Sequence, residues 1–171
     1  MNMRAREPCS TASISKIVSG AQTGVDRAAL DVAISLGIDH GGWAPKGRIA
    51  EDGTIPAIYR VTETGTSKYA ERTRRNVIDS DGTLIIHEGA MSGGTLLTRT
   101  YAQRAGKPVL AVDLGATTAE KAAARIRAWI EENRIRVLNV AGPRESERPG
   151  IYGRARGLLE KVFGGDDGRP G

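Results

Sequence analysis

Short apolar runs alternate along the chain with longer stretches in which apolar residues recur every three or four positions. The short runs predict buried strands at residues 16–19, 39–43, 59–61, 83–86, 109–112 and 136–140. The periodic stretches predict helices at residues 25–36, 67–78, 94–105 and 151–162. Thr117 and Glu120 have the spacing of a capping box, so a further helix is expected there, with Ile126 and Ile130 facing inward. This alternation predicts one doubly wound α/β domain with a mostly parallel sheet and helices on both faces.

The same pattern sets the expected limits of the domain. Periodic apolar positions extend over residues 14–163, and residues 1–13 and 164–171 are predicted to be disordered tails. Residues 44–53 form a long polar stretch with little periodicity, and long loops in compact domains are usually functional.

Composition excludes several classes of protein. Hydrophobic residues make up 39% of the 171 positions, and no apolar stretch approaches the roughly 20 residues of a membrane span. The N-terminal residues lack a secretory apolar core and Cys9 is the single cysteine, so a cytoplasmic location is expected. The net charge is +5, but basic and acidic residues are interspersed and aromatic residues are only 4%, so nucleic acid binding is not expected.

Two glycine-rich turns, at residues 20–24 and 92–95, each follow an apolar strand and open a helix. Free backbone N–H groups at a helix N-terminus, together with the helix dipole, favour a bound anion. Either turn alone could also be an ordinary strand-to-helix connection. Because parallel strands end at one edge of the sheet, the two turns are expected to converge on a single anionic small molecule.

Polar residues near these strand ends complete the candidate site. Asp26 could bind ligand or simply favour the helix N-terminus, and the arginines could face either the cleft or solvent. A Walker A lysine, a G-x-G-x-x-G pattern and a His/Cys zinc set are all missing from the sequence, and no catalytic or metal-binding residue is assigned. The candidate binding residues are Gly20, Ala21, Gln22, Thr23, Gly24, Asp26, Lys46, Arg75, Asn76, Ser92, Gly93, Gly94, Thr95, Arg144, Glu145 and Ser146.

Several segments together resemble the molybdenum carrier family, whose better-known members are molybdenum cofactor carrier proteins. The resemblance extends from about residue 15 to 163 and is carried by residues 19–31, 42–48, 51–53, 75–83, 92–95 and 141–146. It implies a Rossmann-like fold, a homodimer or homotetramer, and a positively charged pocket. That pocket would hold the molybdenum cofactor (molybdopterin) as cargo without catalysis and deliver it to molybdoenzymes. Molybdate and a nucleotide are the alternative ligands.

The fold also resembles that of the lysine-decarboxylase-like phosphoribohydrolases, which use a Pro-Gly-Gly-x-Gly-Thr-x-x-Glu motif. Here the motif is one residue shorter, Ser92 replaces the proline, and Thr98 stands where the catalytic glutamate would fall. Cleavage of a nucleoside monophosphate is therefore disfavoured, although Asp26, Glu88 or Glu145 could supply an acid. A nucleotide-sensing domain is the third alternative.

Overall fold

The computed structural model describes residues 14–165, so the tail predicted at residues 1–13 and all but the first two residues of the tail predicted at residues 164–171 lie outside the described residues. Its elements in chain order are β1 (Lys16–Val18), α1 (Val25–Leu36), β2 (Asp39–Gly41), β3 (Trp43–Ala44), β4 (Ile49–Ala50), β5 (Gly53–Thr54), β6 (Thr62–Glu63), α2 (Tyr69–Ile78), β7 (Gly82–His87), α3 (Gly93–Arg104), β8 (Val109–Asp113), α4 (Ala119–Glu132), β9 (Val137–Ala141) and α5 (Ile151–Phe163).

Five strands form one parallel sheet in the order β2-β1-β9-β7-β8. The chain moves outward from β1 to β2 on one side and outward from β7 to β8 on the other, and β9 then enters between the two pairs. Right-handed crossovers in opposite directions place helices on opposite faces. Accordingly α1 and α4 both contact α5, whereas α2 contacts α3. The prediction of an α/β fold with a mostly parallel sheet flanked by helices is confirmed.

The two faces of the sheet differ in polarity. Ile17, Leu84 and Leu138 point into the main apolar core, together with residues of α1, α4 and α5. On the opposite face Asn139 is buried and its Nδ2 donates to Oγ1 of Thr83 over 3.3 Å. The face beneath α2 and α3 is therefore partly polar. No helix within residues 14–165 has both the length and the apolar character required to cross a membrane.

Three details of the predicted elements are wrong. Residues 39–43 form two strands because Gly42, at φ +122°, turns the chain where a Cβ would lie 2.2 Å from the Ser19 carbonyl oxygen. The strand expected at residues 59–61 is irregular, and the pairing with β3 is made instead by β6. Thr118 caps α4, because its Oγ1 accepts from the Lys121 N–H over 3.3 Å, so the capping box from Thr117 does not form.

The predicted polar loop is part of a folded excursion over residues 42–66. Arg48 holds it by donating to the carbonyl oxygens of Ile55, Pro56, Tyr59 and Val61. A second apolar cluster lies beneath it, formed by Ala21, Leu30, Ala44, Ala50, Ile55 and Tyr59. The excursion is thereby packed onto α1 and onto the turn that follows β1.

Candidate anion-binding cleft

A cleft opens at the carboxyl edge of the sheet, between the ends of β1 and β9 on one side and helices α2 and α3 on the other. Its cavity volume is about 50 Å³, far below the roughly 300–1,000 Å³ of a site that encloses a drug-sized ligand, so the cleft itself has room for a group about the size of one oxyanion. This is also the region where the helices change faces, the usual ligand position in such sheets. The lining residues are Gly20, Gln22, Asp26, Arg72, Thr73, Asn76, Gly94, Thr95, Thr98, Asn139, Val140, Ala141, Gly142, Arg144 and Glu147.

Arg72 is the central cation of this cleft and is only 8% exposed. Its Nη1 donates to the Gly20 carbonyl oxygen over 2.6 Å and lies 3.7 Å from Oδ2 of Asp26. A Cβ at position 20 would lie 1.9 Å from that same nitrogen, so the guanidinium fits because residue 20 is glycine. Within residues 14–165 its buried Nε finds no hydrogen-bond partner.

Gln22 presents a second buried donor. Its Oε1 accepts from the N–H groups of Thr23 and Glu51, over 3.1 and 2.9 Å, which fixes the orientation of the carboxamide. The Nε2 group of this 5%-exposed residue has no partner in the described part of the chain. Buried donors are nearly always paired in folded proteins, so Nε2 of Gln22 and Nε of Arg72 are exceptions among the described residues, and both belong to residues that line the cleft.

Asp26 is a buried carboxyl group on the same wall. Its Oδ2 accepts from the Gln22 N–H over 3.2 Å, which links it to both the first turn and Arg72. Burial raises the pKa of Asp26 to about 6, although Arg72 and the Gln22 N–H oppose the shift. The structure therefore places Asp26 in the cleft, in addition to the first turn of α1.

Arg144 and Glu147 lie on the segment that follows β9. Nε of Arg144 is 3.6 Å from Oε1 of Glu147, and its guanidinium lies 5.6 Å from the centre of the Tyr69 ring. The Arg72 guanidinium lies 5.2 Å from the centre of the same ring. Two arginines thus approach one side of the cleft, as a site for an anion requires.

Thr98 occupies the position at which the phosphoribohydrolase motif has its glutamate. Its Oγ1 donates to the Gly94 carbonyl oxygen over 2.9 Å, one turn earlier in α3. Of the three acids considered as substitutes, Asp26 lines the cleft, whereas Glu88 pairs with Arg154 and Glu145 lies outside it. The one predicted acid that the structure brings into the cleft is therefore Asp26.

The structure brings part of the predicted site together and leaves the rest outside. The predicted residues that line the cleft are Gly20, Gln22, Asp26, Asn76, Gly94, Thr95 and Arg144. The predicted residues that do not line it are Ala21, Thr23, Gly24, Lys46, Arg75, Ser92, Gly93, Glu145 and Ser146. Whether this second group contacts the ligand stays a prediction.

Several of these outlying polar side chains hold neighbouring segments together. The Glu51 carboxylate accepts from Oγ1 of Thr23 and from the N–H and Oγ of Ser146. The Glu145 carboxylate accepts from the N–H groups of Gly150 and Tyr152, over 2.5 and 3.0 Å, and so satisfies donors at the start of α5. The Glu51 contacts join the excursion to the turn after β1 and to the segment after β9. Together with the Glu145 contacts, they support the cleft from outside its lining.

Arg75 and Lys46, the two other cationic residues predicted to bind the ligand, do not line the cleft. Arg75 donates to Oε1 of Glu71 over 2.8 Å, and its guanidinium lies 4.6 Å from the centre of the Trp43 ring. Lys46 is exposed, and its main-chain N–H donates to the Thr66 carbonyl oxygen. Asn76 does line the cleft, but its amide also pairs with the N–H and carbonyl of Trp43, over 2.8 and 3.1 Å.

Some residues line the cleft without having been predicted from the sequence, namely Arg72, Thr73, Thr98, Asn139 and Glu147. Helical spacing could have identified the first of these. Arg72 precedes Asn76 by four positions and therefore shares its side of α2, whereas Arg75 is turned away by about 100°. Asn139 had no comparable signal, because a single asparagine in an apolar strand does not show which face carries the ligand.

Comparisons with known proteins support the resemblance found in the sequence. None of the curated proteins matches this chain. A crystal structure from Syntrophus aciditrophicus, of a protein named "Putative molybdenum carrier protein", is 50% identical with a TM-score of 0.87, over 88% of this chain and 95% of that one. A family model described as the circularly permutated YpsA SLOG family matches residues 17–163. This match spans all five strands of the central sheet and all five helices except for the first residue of β1, and the chain therefore belongs to the circularly permutated YpsA SLOG family.

Proposed function

We propose that this protein binds an anionic small molecule in the cleft between β1, β9, α2 and α3, and that its cargo is the molybdenum cofactor. The observation that carries the proposal is the pair of buried, unpartnered donors, Nε of Arg72 and Nε2 of Gln22. Both belong to residues lining one cleft, which Arg144 also lines. An oxyanion supplies the acceptor oxygens that these groups require.

The molybdenum cofactor suits this arrangement because it carries a phosphate group on a pterin. A phosphate offers several oxygens to charged and neutral donors at once, and it is the kind of group that cationic clefts bind. The name of the structural neighbour from Syntrophus aciditrophicus supports a molybdenum-related ligand. On this proposal the protein holds the cofactor without chemical change and passes it to molybdoenzymes.

The direct test is titration of the purified full chain with the molybdenum cofactor, AMP and ADP-ribose. We expect saturable binding of the cofactor, with the cofactor recovered unchanged. Release of a free base from AMP would instead support the phosphoribohydrolase alternative. Binding of AMP or ADP-ribose without turnover, in the absence of cofactor binding, would support a nucleotide sensor and contradict the carrier proposal.

Two variants of one helix test whether the cleft is the binding site. Arg72→Gln removes the buried guanidinium, and we expect cofactor affinity to fall by about 10- to 100-fold because a charge-assisted hydrogen bond is lost. Arg74→Gln is the matched control, because Arg74 is half exposed and pairs with Glu71 outside the cleft. Equal affinities in the two variants, both shown to be folded by circular dichroism, would contradict the assignment of the cleft.

The cytoplasmic location and the homodimer or homotetramer stay predictions. Light scattering of the purified chain measures its mass in solution, and a monomer at micromolar concentration would contradict the predicted assembly. Molybdate, the alternative molybdenum ligand, is titrated separately by the same procedure as the full cofactor.

A further inference from the structure

We propose that Asp26 makes this cleft select an oxyanion that carries its own proton, such as hydrogen phosphate or the monoanion of a phosphate monoester, over sulfate and molybdate. The inference rests on the proposed function, because it concerns the same cleft. It also identifies which part of the cargo the cleft holds: the phosphate group and not the oxo-molybdenum end.

The positions of one acceptor and two donors carry the inference. Oδ2 of Asp26 accepts from the Gln22 N–H and faces Nη1 of Arg72 at 3.7 Å. Its other oxygen, Oδ1, accepts no hydrogen bond from residues 14–165, and the side chain lines the cleft. The unpartnered donors belong to the same two residues, Gln22 and Arg72. An anion that pairs with these donors therefore lies beside a carboxylate.

The chemistry of such a neighbour separates tetrahedral oxyanions that are otherwise alike. A carboxylate is only an acceptor, and each oxygen of sulfate or molybdate is also only an acceptor at neutral pH. Two facing acceptors repel each other unless a hydrogen lies between them. Hydrogen phosphate and the monoanion of a phosphate monoester have a P–O–H group, which can donate to Asp26 while the remaining oxygens accept from Arg72 and Gln22.

The pH dependence follows from the burial of Asp26, which raises its pKa. The charged groups that act on Asp26 are Arg72 on α2, Arg144 after β9 and Arg27 on α1, and all three oppose this shift. Because the pKa of Asp26 is raised to about 6, the carboxyl group gains a proton as the pH falls below that value. A protonated Asp26 can donate to any oxyanion. The preference for hydrogen phosphate is therefore expected above about pH 6 and is expected to shrink below it.

The test follows amide chemical shifts of the ¹⁵N-labelled full chain during titration with inorganic phosphate, sulfate and molybdate. At pH 7.5 we expect the wild type to bind phosphate about 10- to 100-fold more tightly than sulfate or molybdate, the effect of one hydrogen bond to a charged group. Asp26→Asn is expected to bring the three affinities close together, because a carboxamide can donate as well as accept. Asp39→Asn removes one negative charge at the exposed first residue of β2 and is expected to retain the preference.

A second measurement needs no variant. Repeating the three titrations of the wild type at pH 5 is expected to reduce the preference for phosphate. Equal affinities for phosphate and sulfate at pH 7.5, or a preference that does not change at pH 5, would overturn the role of Asp26 and leave anion binding intact. Failure to bind both these anions and the molybdenum cofactor would contradict the proposed function itself.

Discussion

Gly24 and Gly94, one from each predicted turn, differ in how closely other atoms approach them, and single substitutions should therefore have different effects on stability. Gly24 has φ +78°, and a Cβ there would lie 2.3 Å from the Pro143 carbonyl oxygen, so Gly24→Ala forces two backbone segments apart. We expect a loss of at least about 2 kcal/mol in the free energy of unfolding. Gly94 has no atom within 4 Å of its Cβ position, and Gly94→Ala is expected to change that free energy by less than about 0.5 kcal/mol. Urea denaturation measures both, and similar losses would contradict the contrast.

The raised pKa of Asp26 should affect how the free energy of unfolding depends on pH. Its pKa is raised from 3.8 in the unfolded chain to about 6 in the folded protein, so between these values the folded state binds more protons. The contribution of Asp26 to the free energy of unfolding is therefore present below about pH 4 and decreases by roughly 3 kcal/mol as the pH rises to 6.

Subtracting the free energy of unfolding of Asp26→Asn from that of the wild type at each pH isolates this contribution. Carboxylates whose pKa is lowered, such as Glu51 and Asp52, act in the opposite sense but cancel in the difference. The difference should decline across this window and level off above it. A difference that rises with pH would have the wrong sign for a raised pKa.

Helix α2 shows why the fold was easier to predict than the site. The predicted bounds of α2 agree with the observed ones to within two residues, because the polar residues 79–82 mark the end of the helix. Its inward side, however, carries Arg72, Thr73 and Asn76 in place of a clear apolar stripe. Because periodicity arguments depend on apolar residues and buried arginines are rare, the pattern does not identify Arg72. The polar side chains that make this side of α2 hard to recognise in the sequence are the groups that a ligand would contact.

The excursion over residues 42–66 should depend on one side chain more than on its short strands. Arg48 donates to four carbonyl oxygens, while the strands β4 and β5 pair over only two residues each. Arg48→Met is expected to lower the local stability of the excursion by about 1–3 kcal/mol, because four carbonyl oxygens lose their donor. Hydrogen exchange should then accelerate in residues 49–63 and stay unchanged in β7.

Arg60→Met is the matched control, since Arg60 is exposed and lies 3.6 Å from Asp39. It should leave exchange in residues 49–63 close to that of the wild type. Acceleration spread evenly over the central sheet in Arg48→Met would show that the excursion does not open as a separate unit.

For the complete domain, the location of the cleft predicts a broad response to ligand. The lining residues come from α1, α2, α3, β9 and the segments after β1 and β9, so one bound molecule touches parts of the chain that are distant in sequence. Cofactor at 100 times its Kd should stabilise the folded state by about 2.7 kcal/mol and raise Tm by several degrees. Scanning calorimetry measures this shift, which Arg72→Gln should reduce and Arg74→Gln should preserve.

The position of β9 has a consequence for how the protein is made. This strand is the last of the sheet to be synthesised, yet it pairs with both β1 and β7 at the centre. Until residues 137–141 leave the ribosome, the central sheet can exist only as two separate strand pairs, β1 with β2 and β7 with β8, each with an open edge able to join a neighbouring polypeptide. Production of soluble protein should therefore be sensitive to chaperone supply until β9 has been synthesised and has paired.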